Sequence, residues 1–319
     1  MIGEPAEALL ERARGWPGPI LVVGRPRSGT RAVARLLLEA GVFLGAAVSP
    51  DHLDSVAIYQ RFVVPLLASR QFPRWPELGA DPGFDAFCHE RLADALTHHL
   101  AGAEPRGPWG WKYPETLFAM PLLAPLLPGA RFVHLIRDGR DVCLSEGGFW
   151  QLTGSHHDPP GWSPPPLPPA LRRDGAPAVP DYHAFCLAVA LGDASAHRFG
   201  AIDLDDRRQL VEHRFVLQMQ SWVHCVTTAR AHGRALGDRY LEVRYEDLCL
   251  RPGDVAPALL ERLGLPLGER ARAWINGGFV AGRLRRWSAI RFTPAEARDF
   301  AAAEVHGAPL LRELGHDAG

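Results

Sequence analysis

"ILVVGRPRSGTRAVARLLLEAG", residues 20–41, decides the fold. Its first four residues, "ILVV" (20–23), are all apolar, and a run with no polar alternation reads as a strand buried on both faces. A loop from Gly24 to Thr30 follows. Val33, Leu36, Leu37 and Ala40 then recur at helical spacing, and Gly41 stands where a helix C-cap is expected. Strand, loop and helix in that order gather backbone N–H groups and the positive end of a helix dipole around one concave spot, an anion cradle. The residues expected to build it are Arg25, Pro26, Arg27, Ser28, Gly29, Thr30 and Arg31. The magnesium-dependent form of such a loop, G-x-x-x-x-G-K-[ST], would need lysine at 30 and a hydroxyl at 31. Thr30 and Arg31 stand there instead, with Arg27 inside the loop, which shifts the expectation from magnesium–ATP to a metal-free phosphate or sulfate group.

The rest of the composition bounds the function. A chain of 319 residues that is 47% apolar and 22% charged has the balance of a folded globular protein, and a net charge of -1 suggests neither nucleic-acid binding nor a polybasic membrane anchor. No apolar run reaches the ~18 residues that span a bilayer. The charged N-terminus "MIGEPAEALLERARGWPG" does not read as a signal peptide, so a cytoplasmic location is expected. Cys88, Cys143, Cys186, Cys225 and Cys249 are odd in number, widely spaced and free of C-x-x-C, which fits reduced, buried thiols. Lys112, in "WGWKYPET", is the only lysine in the chain; every other basic side chain is arginine.

Short apolar runs continue to alternate with helical patterns, the rhythm of an α/β fold: one domain over 1–319, with a central parallel sheet flanked by helices, P-loop NTPase-like. "WGWK" reads as a strand leading into Pro114 and Glu115, "RFVHLI" (131–136) as a buried strand, and "YLEVR" (240–244) as a last one. "FVLQMQSWVHCV" (215–226) reads as a helix. Proline density makes 154–181 an irregular insertion: a substrate-side lid, a spacer, or a partner ligand of the P-x-x-P kind. His156, His157 and Asp158 lie in it without further ligands at metal-binding spacing, so no metal site is expected. Arg137 follows a strand and Ser145 comes eight residues later, placed to grip a second anion in the first turns of a helix. The alternative is a surface ion-pair cluster of Arg137, Asp138, Arg140 and Asp141.

"VVGRPRSGTRAVARLL", "FVHLIRDGRDVCLS", "WKYP" and "LEVRYEDLCLRPGDVAPALLERLGLP" together resemble the sulfotransferase family, enzymes that use 3'-phosphoadenosine 5'-phosphosulfate. The resemblance implies that Arg27 and the Ser28–Thr30 backbone bind the 5'-phosphosulfate, and that Arg137 and Ser145 bind the 3'-phosphate. "AGRLRRW" is similar to a late family motif that closes over that phosphate, which adds Arg283 and Arg286. Arg31 and Ala32 stand where the family often has a second threonine or an aromatic residue. Lys112-Tyr113-Pro114 resembles the family's K-x-P lysine, which contacts the transferring group. A compact ammonium can sit close to the bridging oxygen, whereas a guanidinium is broader and favours bidentate anions. For the general base the family pattern offers Asp51, His52 and Asp54, or Glu115. Glu246 is expected to be structural, and Tyr245 and Trp222 to belong to the core.

The resemblance implies in-line transfer of a sulfuryl group to a hydroxyl or amine of a small-molecule acceptor. A sulfuryl group carries less charge than a phosphoryl group, so no metal is required. Tyr59, Phe62, Phe72 and Trp75 are expected to line a partly apolar acceptor pocket. A P-loop kinase with a degenerate loop, or a nucleotide-binding protein without catalysis, remains the alternative.

Overall fold

The computed structural model describes residues 5–67, 79–102, 104–144, 182–193 and 195–316. Ser145, Phe72, Trp75, His156, His157, Asp158 and the insertion 154–181 lie outside the described residues. The opening apolar run becomes β1 (Ile20–Gly24), buried at every position. β2 (Gly110–Lys112), β3 (Arg131–Ile136) and, after a short antiparallel pair formed by β4 (Arg198–Phe199) and β5 (Ile202–Asp203), β6 (Tyr240–Arg244) complete the strands. The four main strands form one parallel sheet in the order β2-β1-β3-β6.

Helices cover both faces, which is why β1 shows no polar alternation. Ile20 and Val22 pack with Val33, Leu36 and Leu37 of the helix Thr30–Glu39, whereas Leu21 and Val23 join the core formed by Phe84, Leu92 and Leu96 of the helix Pro82–His99. Burying such a side chain contributes about 1.5–3 kcal/mol, so a register slip that exposed either set would be strongly disfavoured. Asp81 starts the helix Pro82–His99 by accepting from the N–H groups of Gly83 and Phe84. Thr293 and Glu296 form a reciprocal capping box at the start of the helix Pro294–Glu313. That helix packs along the helix Arg214–Gly233, whose Trp222 is fully buried.

Because the strands are parallel, their carboxyl ends share one rim. The register pairs Val22 with Lys112, Gly24 with Leu135 and Ile136 with Arg244, so the segments after β1, β2 and β3 emerge side by side. The helix Gly139–Cys143 follows Arg137, with Leu144 as its cap. One expectation needs correction. Phe62 does not line a pocket: it sits on a π-helical turn, Tyr59–Val63, that rotates it fully into the core against the helix Pro82–His99. All five cysteines are buried, and none forms a disulfide among the described residues. Among the described residues, no helix is long and apolar enough to cross a membrane.

Candidate active site

The loop after β1 owes its path to three residues at positive φ. At Gly24 (φ 147°) a Cβ would stand 2.6 Å from the Leu135 carbonyl oxygen, and at Gly29 (φ 97°) one would stand 2.2 Å from the Tyr245 ring. Only glycine fits such close approaches. Arg27 between them adopts φ 77°, a region that costs a non-glycine residue roughly 1–3 kcal/mol. The Ser28 N–H turns back to the Arg25 carbonyl at 3.1 Å, while the N–H groups of Arg27, Gly29 and Thr30 have no carbonyl partner among the described residues. These unpaired donors at the start of a ten-residue helix form the anion cradle.

The arginines of this loop point three ways. Arg27 is half-buried and makes no side-chain hydrogen bond among the described residues. Burial first, then the positive charges of Arg25 and Arg31, hold its pKa below the ordinary value, with Asp54 opposing them. Arg31, expected to bind the ligand, donates instead to the Asp51 carbonyl at 2.7 Å and tethers the neighbouring loop. Arg25, also expected in the cradle, is turned beneath it: Nη1 donates to the Pro26 carbonyl at 3.1 Å and Nη2 to Oε1 of Gln218.

Lys112, at the end of β2, is only 4% exposed. Its Nζ donates to Asp54 Oδ1 at 2.6 Å and to the His52 carbonyl at 3.0 Å. The loop carrying these partners is fastened from behind. The Ser55 N–H donates to the Lys112 carbonyl at 2.9 Å, and the Ser55 hydroxyl meets Nδ1 of His99 at 2.8 Å. His99 Nε2 lies 2.9 Å from the Gly110 carbonyl. Burial pushes the His99 pKa down to about 4, so the ring is neutral: Nε2 donates to Gly110 and Nδ1 accepts from Ser55. Nothing in the sequence marks Ser55 or His99 for this task.

The structure thus brings Lys112, Asp54, His52 and Arg27 together. His52 is exposed, and partial burial, together with the charges of Arg27, Lys112 and Arg31, lowers its pKa against the pull of Asp54. Asp51 is exposed and contributes a backbone carbonyl. Glu115 is 2% exposed with Oε2 unpartnered. Burial, then the Asp54 charge, pushes its pKa up to about 7.

At the end of β3 the arginines are paired. Arg137 Nη2 contacts Asp141 Oδ2 at 3.1 Å, and Arg140 Nη2 contacts Asp138 Oδ2 at 2.8 Å. These pairs are buried, not the surface cluster weighed as the alternative, with the Asp141 side chain only 1% exposed. Arg137 also donates to the Arg27 carbonyl at 3.4 Å and to the Arg283 carbonyl, and lies 5.0 Å over the Tyr245 ring. Trp222 Nε1 donates to the Arg137 carbonyl at 2.9 Å. Asp141 accepts the N–H groups of Arg285 at 2.9 Å and Arg286 at 2.8 Å, which folds the segment 281–287 over Arg137. The side chains of Arg283 and Arg286 are exposed there. Glu246 accepts the Asp138 N–H at 2.8 Å, and Tyr245 is 4% exposed beneath Arg137.

Residues 19–166 match the model of the family described as the sulfotransferase family. This segment belongs to the sulfotransferases. It contains the cradle, Lys112 and Arg137, while Arg283 and Arg286 lie beyond the matched residues. No curated protein matches the chain. Among solved structures, the chain is similar to sulfotransferase STF1 from Mycobacterium tuberculosis H37Rv, at 16% identity over 93% of this chain and 81% of that chain, with a TM-score of 0.43. Sulfotransferase STF9 from Mycobacterium avium gives 16% identity over 97% and 81%, with a TM-score of 0.45. Mouse sulfotransferase SULT7A1 complexed with PAP gives 14% identity over 98% and 95%, with a TM-score of 0.44.

Proposed function

We propose that this protein transfers the sulfuryl group of 3'-phosphoadenosine 5'-phosphosulfate to a hydroxyl or amine of a small-molecule acceptor, without a metal ion and in the cytoplasm. The observation that carries the reading is the concentration of uncompensated positive charge at the cradle. Arg27 has no side-chain partner among the described residues, three N–H donors are unpaired, and the pKa of Arg27 is lowered by burial and like charge. The buried Ser28 hydroxyl is unpartnered as well. This donor set suits a sulfated or phosphorylated group, with Arg27 and the Ser28–Thr30 backbone on the 5' side and Arg137 on the 3' side.

In the transfer, His52 takes the acceptor's proton as the acceptor oxygen or nitrogen forms its bond to sulfur and the bond from sulfur to the bridging oxygen breaks. His52 is exposed, and burial of part of its ring lowers its pKa, whereas Asp54 is engaged by Lys112 and Glu115 is buried. Lys112 Nζ steadies the negative charge that develops on the leaving oxygen. Asp54 and the His52 carbonyl hold that ammonium in place until the transfer.

Incubation with the sulfate-donor nucleotide and a panel of hydroxyl and amine acceptors, in the presence of a chelator, should yield the desulfated nucleotide. Magnesium-dependent consumption of ATP under the same conditions, with no desulfation, would favour a kinase.

A further inference from the structure

Arg25 is 2% exposed, yet among the described residues no carboxylate forms an ion pair with it. Its Nη atoms donate to two neutral oxygens, those of Pro26 and Gln218, and its Nε has no partner. The surroundings are similarly unfinished. Gln218 Nε2 and the Ser28 hydroxyl are buried without hydrogen-bond partners among the described residues. Glu115, whose charge is felt at Arg25, has Oε2 unpartnered and makes no hydrogen bond to the guanidinium.

A guanidinium keeps its proton inside a protein, so neutralisation cannot relieve this burial. An unpartnered buried charge destabilises a fold, and an apolar residue of similar length in its place is neutral or stabilising. The cationic side chain makes physical sense if an opposite charge settles close by. A place built to receive one is the cradle itself, which the same loop forms across the Pro26–Gly29 backbone.

We infer that Arg25 is a positioning residue for the donor nucleotide, holding the anionic 5' end from beneath the loop by charge acting through the backbone, not by contact. Its hydrogen bond to the Pro26 carbonyl keeps that oxygen turned inward, which leaves the following N–H groups facing the ligand. Its other hydrogen bond goes to Gln218 on the helix Arg214–Gly233. The assignment rests on the donor reading above, and it gives a task to a charge that the transfer step does not use.

The test combines calorimetric titration of the full chain with adenosine 3',5'-bisphosphate and thermal unfolding with and without that nucleotide. Arg25→Met should melt no lower than wild type in the free state, bind about tenfold more weakly or worse, and show a smaller nucleotide-induced shift. A variant that melts lower and binds with unchanged affinity overturns the inference, because Arg25 is then only a strut. Loss of affinity together with loss of free-state melting temperature also marks a strut and overturns it. Should Arg25→Met fail to fold, Arg25→Lys decides: affinity within about threefold of wild type supports a role carried by charge, and a tenfold loss despite the retained charge contradicts it. Wild-type protein that binds no nucleotide counts against the donor reading itself, and the role of Arg25 falls with it.

Discussion

The two cationic segments on the rim of the sheet are built on opposite plans. After β1, Arg25 and Arg27 have no carboxylate in ion-pair contact among the described residues, Arg27 is held at a strained positive φ, and the N–H groups of Arg27, Gly29 and Thr30 have no carbonyl partner there. After β3, Arg137 and Arg140 are each matched by a buried aspartate, and Asp141 also fastens the segment 281–287. On the proposed function, the first segment holds charge for a ligand, whereas the second uses its charge in the architecture. Substitutions in the two should therefore fail in different ways, in stability at the β3 end and in binding or turnover at the β1 end.

The largest effect is expected at Asp141. Asp141→Ala strands Arg137 and frees the N–H groups of Arg285 and Arg286, and loss of one partner from a buried pair costs about 3–5 kcal/mol. Urea denaturation should show that loss, and trypsin should cut sooner at Arg283, Arg285 or Arg286. An Asp141→Ala protein as stable as wild type would erase the contrast between the segments.

Next comes Lys112→Arg, which keeps the charge and changes its shape. Turnover should fall about 100-fold or more while donor affinity stays within about threefold, the pattern of a contact made at the transferring group. Steady-state kinetics with near-normal turnover would remove Lys112 from the transfer. Arg27→Ala should show the complementary split: donor affinity falls about 10- to 100-fold, and the free protein melts within a few degrees (roughly) of wild type. If calorimetry finds the affinity unchanged, the unpaired charge at the β1 end has another purpose.

The smallest effect concerns pH. The folded-state pKa of His99, at about 4, lies below its ordinary value of 6.5, so the unfolded chain binds a proton first. Its stabilising contribution is complete above pH 6.5 and drains as pH falls toward 4. Glu115 runs the other way: its folded-state pKa is raised from 4.5 to about 7, so its contribution is full below pH 4.5 and is lost as pH rises through 7. Glu115→Gln should therefore gain stability relative to wild type between pH 5 and pH 8, by about 2–3 kcal/mol. Denaturation midpoints at those two pH values that shift in parallel would show that Glu115 does not titrate there.

The β1 plan was the more legible in sequence because it is local. A continuous apolar run, two glycines and a helical repeat within residues 20–41 specify strand, loop and helix without help from the rest of the chain. Lys112 was equally visible as the single lysine. What stayed hidden depends on contacts between distant segments. Arg25 turns inward because Gln218, 193 positions away, receives it, and Asp141 acts on residues 144 and 145 positions later. His99 secures Ser55 across 44 positions, and a buried neutral histidine leaves no mark in composition or spacing. Phe62 was misread because its burial depends on the helix Pro82–His99, which lies about twenty positions later and packs against it.

The central claim is that the uncompensated charge beside Lys112 exists to bind a sulfate-donor nucleotide without a metal. The most direct measurement is calorimetric titration of the wild-type chain with adenosine 3',5'-bisphosphate in a chelator, set beside ATP with and without magnesium. Saturable binding of the bisphosphate in the chelator, tighter than that of ATP in either condition, is the predicted result. No binding of the bisphosphate together with magnesium-dependent binding of ATP would contradict the account.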